Sequence, residues 1–183
     1  AETNGVDPRA LHTVENGVDA RRFAPGPRDA RLAERPWLAP DDEVILTVSR
    51  LAPRKGHRTV IQALAKVARP RLKYIFTGAS EAMTRELLDL AREKGVASRV
   101  VPAGFVGEDE LPSLYRLASA FALLADEEAA DVEGFGVALL EAAASGLPTI
   151  ASRTGGMPEA IADGITGLLI PPGDATAAAE AIT

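Results

Sequence analysis

Val44-Ile45-Leu46-Thr47-Val48-Ser49-Arg50-Leu51-Ala52-Pro53-Arg54-Lys55-Gly56 is the stretch whose reading decides the fold. Residues 44–48 form a short β-branched, apolar run, the pattern of a strand buried on both faces. A loop carrying three cations follows, and Gly56 permits a tight turn at its end. Residues 59–68 then place Val60, Ile61, Leu64 and Val67 at helical spacing. Strand, loop and amphipathic helix make one unit of an α/β fold.

The alternation continues to the C-terminus. Strands are expected at residues 72–76, 100–105, 121–124, 149–151 and 168–170. Helices are expected at about 81–94, at 110–118 and at 137–145, with a helical turn at 158–162. Gly95 caps the first of these, and Gly146 with Pro148 stops the helix at 137–145. Asp174 is placed to N-cap a final helix. Buried strands alternating with helices predict a doubly wound, Rossmann-like parallel sheet. Ligands bind such sheets beyond the carboxyl ends of the strands, so the loops after Val48, Phe76, Phe105, Leu124 and Ala151 are where chemistry is expected.

Upstream, residues 1–43 are loop-rich. Asn-Gly-Val-Asp occurs twice, at residues 4–7 and 16–19, and Phe23-Ala24-Pro25-Gly26-Pro27 reads as a linker. Residues 1–22 are read as a segment leading in from another domain and residues 23–183 as the domain itself. The 183 residues suit one ordinary domain. A net charge of -6 gives no support for nucleic-acid binding. With no cysteine, thiol chemistry and thiolate metal sites are excluded, and two histidines make a His-rich zinc site a poor fit. No apolar run is long enough to span a bilayer and no signal peptide is visible. A start at Ala1 and an end inside an Ala-rich run read as a fragment of a longer, cytoplasmic protein.

Among the loops, Arg50 with Arg54 and Lys55 could grip a diphosphate, Arg as a bidentate fork and Lys as a point charge. A solvated basic turn is the alternative. Thr77-Gly78-Ala79-Ser80 is a weaker signal. Phe105 and Leu111 could form a slot for a flat base or could be ordinary core. Asp126, Glu127, Glu128, Asp131 and Glu133 crowd one segment, which could bind a divalent metal or be a solvated loop. Glu133 stands apart because Gly134-Phe135-Gly136 follows it. The helix begun at Val137 directs its unpaired amides and dipole at the same place, which favours an anion. Glu141, one turn into that helix, needs hydrogen bonds if it is buried, and ribose hydroxyls would supply them; an exposed helix-face Glu is the plainer alternative. Gly155-Gly156 makes a further anion-friendly turn. A dinucleotide oxidoreductase fits poorly, because Gly134-Phe135-Gly136 lacks the third glycine at the required spacing.

Taken in order, these residues resemble a known family. Val-Ser-Arg-Leu with Lys55-Gly56, Glu133-Gly134-Phe135-Gly136 with Glu141, Ser145-Gly146-Leu147-Pro148, Gly155-Gly156-Met157-Pro158-Glu159, Asp163-Gly164 and Gly167-Leu168-Leu169 resemble the C-terminal domain of the GT-B glycosyltransferases of family 4, also called group 1. The likeness runs from about Asn16 to the end. It implies the C-terminal half of a GT-B fold, and a retaining transfer of sugar from a nucleotide-diphosphate donor, UDP- or GDP-linked, to an acceptor hydroxyl. Arg50 and Lys55 match the positions that hold the diphosphate, helped by amides near Phe135, Gly136 and Val137. Glu133 matches the carboxylate that contacts the donor sugar, and Glu141 the one that holds the ribose. Phe105, Val106 and Leu111 fall where the base packs.

The resemblance also implies front-face substitution with the donor phosphate as base, no metal and no cofactor. The acceptor, and any peripheral membrane association, belong to an N-terminal domain outside this chain, without which donor binding and transfer should be weak. Two departures stand out. Ser80 replaces the second glycine of the turn after the second strand, and the acidic insert before Glu133 is long. A non-catalytic nucleotide-binding module and a sugar-nucleotide hydrolase or epimerase are the competing readings.

Overall fold

The apolar run read first forms β1 (Glu43–Thr47), the centre of a six-stranded sheet. The computed structural model describes residues 12, 14, 16–29, 37–126 and 133–183. The first Asn-Gly-Val-Asp copy, and Glu127, Glu128 and Asp131 of the acidic segment, lie outside the described residues. The remaining strands are β2 (Leu72–Thr77), β3 (Val100–Gly104), β4 (Ala120–Leu123), β5 (Thr149–Ser152) and β6 (Gly167–Ile170). The helices are α1 (His57–Lys66), α2 (Glu81–Glu93), α3 (Leu111–Leu117), α4 (Val137–Ala144), α5 (Met157–Ala160) and α6 (Ala175–Ile182).

All strand pairs are parallel and the order is β3-β2-β1-β4-β5-β6. Ile45 pairs with Tyr74 on one side and Ala120 on the other. Alternation along β1 sends Ile45 to one core and Val44 and Leu46 to the other, so both faces are buried. The first core packs α1, α2 and α6 through Val60, Ile61, Leu64, Leu87 and Ala178. The second packs α3, α4 and α5 through Leu114, Tyr115, Leu139 and Met157, and it takes in Phe23 from the linker. The expected fold is the one observed.

Boundaries moved by a residue or two. Helix α1 begins at His57 rather than 59, because the chain turns at Gly56 itself. It ends at Lys66, where Val67 becomes extended and points into the core. Asp174 caps α6 as expected, accepting from Thr176 and Ala177 N–H at 2.9 Å each. Strand order reverses between β1 and β4, so the crevice where such sheets bind ligands lies between the loops after those two strands.

Candidate functional site

Backbone contact joins the loops after β1 and β4. Gly56 has φ 70, and a Cβ there would overlap the Leu124 carbonyl oxygen, so only glycine lets the two loops meet. Asp126 N–H donates to the Arg54 carbonyl at 2.8 Å beside this contact. The loop after β2 closes in as well: a Cβ on Gly78 would stand 2.8 Å from the Leu51 nitrogen. Gly78 thus lets the loop after β2 pack directly on the loop after β1. Ser80 instead N-caps α2, its Oγ accepting from Met83 N–H at 3.4 Å.

At this junction Arg54 Nη1 donates to Glu133 Oε2 at 2.9 Å, and Lys55 Nζ donates to the same oxygen. All three side chains are nearly buried, with 8%, 11% and 11% of Arg54, Glu133 and Lys55 exposed. Burial pushes the Glu133 carboxyl up, but the hydrogen bonds and charges of Lys55 and Arg54 outweigh it and hold it below its ordinary value. The sequence groups Arg54 with Arg50 and Lys55 as a possible diphosphate grip, and the family resemblance gives a role only to Arg50 and Lys55; nothing in the sequence said which cation turns inward.

A chain of buried groups fixes the basic loop from beneath. Thr47 Oγ1 donates to the Ala122 carbonyl at 2.6 Å and accepts from Tyr74 OH at 3.1 Å. Tyr74 has then used its proton, so at 2.7 Å it accepts from His57 Nδ1. His57 Nε2 is left facing Ser49 Oγ at 3.2 Å. Burial, and then the charge of Lys55, lower the His57 pKa to about 4. The neutral imidazole thus ties the start of the loop, at Ser49, to its end.

Two cavities flank the ion pair. One, about 650 Å³, is lined by Arg50, Arg54, Gly78, Phe105, Val106 and Leu111. Phe105 is 82% exposed at its rim, which removes the core reading for that residue. Arg50 is exposed and has no ion-pair partner among the described residues. The other cavity, about 580 Å³, is lined by Asn16, Glu133, Gly134, Phe135, Gly136, Val137 and Glu159. Helix α4 opens there without a side-chain cap, and the N–H groups of Gly136, Val137 and Ala138 donate to no described residue. Asn16 and Glu159 are lining residues that sequence reasoning quoted within motifs but did not place in the site. A third cavity, about 340 Å³, lies away from these groups, beside Glu43, Ser119 and Thr149.

The sequence-predicted residues are therefore brought to one edge of the sheet, with two qualifications of position. Lys55 lines neither flanking cavity and is engaged with Glu133. Glu141 also lines neither; its Oε2 accepts from Tyr115 OH at 2.7 Å, so it is not a free helix-face carboxylate. Burial, then the charge and hydrogen bond of Glu141, push the Tyr115 phenol up. The turn at Gly155-Gly156 does not present both amides to a ligand. Gly156 N–H donates to the Glu133 carbonyl at 3.1 Å, and a Cβ on Gly156 would overlap the Gly134 carbonyl oxygen, so this turn braces Glu133 instead. Among the described residues there is no group of three or more His, Asp or Glu able to hold a metal, and no helix long and apolar enough to cross a membrane.

The family model described as "Glycosyl transferases group 1" matches residues 30–183. The chain belongs to that family. This group 1 glycosyltransferase chain is 38% identical over 178 residues to the GDP-mannose-dependent alpha-(1-6)-phosphatidylinositol monomannoside mannosyltransferase of Mycolicibacterium smegmatis, covering 94% of this chain and 46% of that protein. It is 36% identical over 176 residues to the D-inositol 3-phosphate glycosyltransferase of Actinosynnema mirum, covering 90% and 40%. The glycosyltransferase chain thus spans less than half the length of these curated relatives. Among solved structures it is similar to Anabaena HepE in complex with UDP and glucose, with a TM-score of 0.85, 27% identity, and 98% of this chain and 48% of that one covered. It is also similar to the C-terminal domain of a group 1 glycosyl transferase (LpcC) of Francisella tularensis, with a TM-score of 0.74, 25% identity, and coverage of 91% and 86%. Its neighbours in structure are GT-B glycosyltransferases, as the sequence resemblance implied.

Proposed function

We propose that this chain is the donor-binding half of a retaining glycosyltransferase that moves a sugar from a nucleoside-diphosphate sugar to an acceptor hydroxyl. The observation that carries the reading is the arrangement at the β1/β4 crevice: two cavities separated by the Arg54–Glu133–Lys55 cluster, with the open N-terminus of α4 facing one of them. The cavity beside Phe105, Val106 and Leu111 takes the base. Arg50, with Lys55, holds the diphosphate, assisted by the amides of Gly136 and Val137. The cavity beside Glu133 takes the sugar, and Glu141 holds the ribose. HepE, crystallised with UDP and glucose, supports a nucleotide and a sugar as ligands of this fold.

In the reaction the bond between the sugar C1 and the diphosphate oxygen breaks, and the acceptor oxygen bonds to C1 on the same face. The acceptor proton passes to the departing phosphate oxygen. Negative charge grows on that oxygen as the bond breaks, and in this reading Arg50, Lys55 and the α4 amides offset it; stabilisation of this kind is worth about 3 kcal/mol per donor. Glu133 is kept ionised by its two cations and so serves as a fixed acceptor for sugar hydroxyls. The acceptor substrate, and any peripheral contact with a membrane, are assigned to the remainder of the protein.

Backbone NMR shifts followed during titration with UDP-glucose, GDP-mannose and an ADP-sugar test this reading. Perturbations at Arg50, Phe105, Glu133 and Glu141 are expected with one of them. No perturbation by any donor at these residues overturns it.

A further inference from the structure

Tyr115 is buried on α3 and takes no part in either cavity, yet its hydroxyl makes the one hydrogen bond given to the Glu141 carboxylate by the described residues, at 2.7 Å to Oε2. The same hydroxyl stands 3.4 Å from the Ala138 carbonyl, one turn earlier on α4. The ring is held on two further sides, edge-on to Phe23 at 5.6 Å between centroids and against Phe121 at 5.7 Å. Tyr115 therefore has no freedom to follow Glu141; the carboxylate must come to it. Oε1 of Glu141 has no described partner. On α3, Leu111 sits four residues before Tyr115 and so on the same face, and Leu111 lines the cavity beside Phe105. Glu141 is thus tied one helical turn from the slot assigned to the base, on the helix whose N-terminus faces the place assigned to the diphosphate. That is where a ribose joins the two.

Resting on the donor reading above, we propose that Tyr115 is a positioning residue: its hydroxyl occupies Oε2 of Glu141 and thereby fixes Oε1 toward the ribose hydroxyls of the nucleotide.

Binding of UDP and GDP and of their 2′-deoxy and 3′-deoxy counterparts, measured calorimetrically on the chain and on Tyr115→Phe and Glu141→Gln, tests this. The unsubstituted chain should bind a ribonucleotide roughly tenfold more tightly than the deoxy counterpart lacking the hydroxyl that Glu141 holds. Glu141→Gln should lose most of that preference. Tyr115→Phe keeps the ring and removes only the hydroxyl; it should weaken ribonucleotide binding severalfold, leave the deoxy counterpart unchanged, and so lose the preference too. Should the Phe variant not fold, as read by its melting transition, Tyr115→Met removes the hydroxyl with a more adaptable side chain. A Tyr115 variant that weakens ribo- and deoxynucleotides equally overturns the proposal while the ribose role of Glu141 stands. If the chain binds nucleotides without ribose preference, the ribose role fails and the proposal with it.

Discussion

Glu133 and Arg54 stand 79 positions apart in the chain, yet Oε2 of one accepts from Nη1 of the other at 2.9 Å in a nearly dry junction. Lys55 donates to the same oxygen, so removing Arg54 leaves Glu133 with one cation in place of two. Arg54→Ala is expected to lower the unfolding free energy by about 2 kcal/mol in urea denaturation, the cost of a charged hydrogen bond and less than that of a stranded buried charge, because Lys55 still holds Glu133. Combining it with Glu133→Ala should cost much less than the sum of the two single changes. Additive costs would show that the pair contributes nothing by its contact.

Arg50 should behave in the opposite manner. It is exposed and has no described ion-pair partner, so Arg50→Ala should leave the melting temperature within about a degree or two, given that exposed sites away from special features change stability by about 0.5 kcal/mol or less. Loss of a charge-assisted bond to phosphate should weaken nucleoside-diphosphate binding by about tenfold. Isothermal titration of UDP and GDP into both proteins separates the two effects. Unchanged affinity for both nucleotides would remove Arg50 from the diphosphate site.

Two glycines with the same backbone angle should differ sharply. Gly56 and Gly95 have φ of 70 and 71, so alanine pays a left-handed penalty of about 1 kcal/mol at each. Nothing lies within 4 Å of a Cβ on Gly95, whereas one on Gly56 overlaps backbone oxygen of Leu124. Gly56→Ala should therefore cost at least about 2 kcal/mol more than Gly95→Ala and should weaken nucleotide binding, because it forces the loops after β1 and β4 apart. Equal melting temperatures for the two variants would contradict the contact.

His57 gives a pH dependence with a definite sign. Its folded pKa of about 4 lies below the ordinary 6.5, so between these values the unfolded chain takes up a proton that the folded chain refuses. Its contribution is fully present above pH 6.5 and is lost as the pH falls toward 4, by up to about 3 kcal/mol. A His57→Gln variant has no such proton to take up. The stability gap between the two proteins, measured by denaturation at pH 7, 5.5 and 4.5, should shift in favour of the variant as the pH falls. A constant gap would show that the imidazole titrates normally.

Much of this architecture is written in local pattern. The β-branched run at residues 44–48, the helical spacing of Val60, Ile61 and Leu64, and Asp174 as a cap each act within a few residues, where propensity and burial periodicity operate directly. The ordered motifs from Ser49 to Leu169 likewise carried the family. Local pattern could also name Arg50, Lys55, Glu133 and Glu141 as candidates, because residue type and loop position suffice for that.

Partnership was decided only by the tertiary structure. Whether Arg54 or Arg50 turns inward, whether Phe105 packs or projects, and which hydroxyl meets Glu141 depend on elements far apart in sequence being brought together by the strand order β3-β2-β1-β4-β5-β6. The cost of burying a charge or hydroxyl is set by the partner it finds, and no periodicity along the chain encodes that partner.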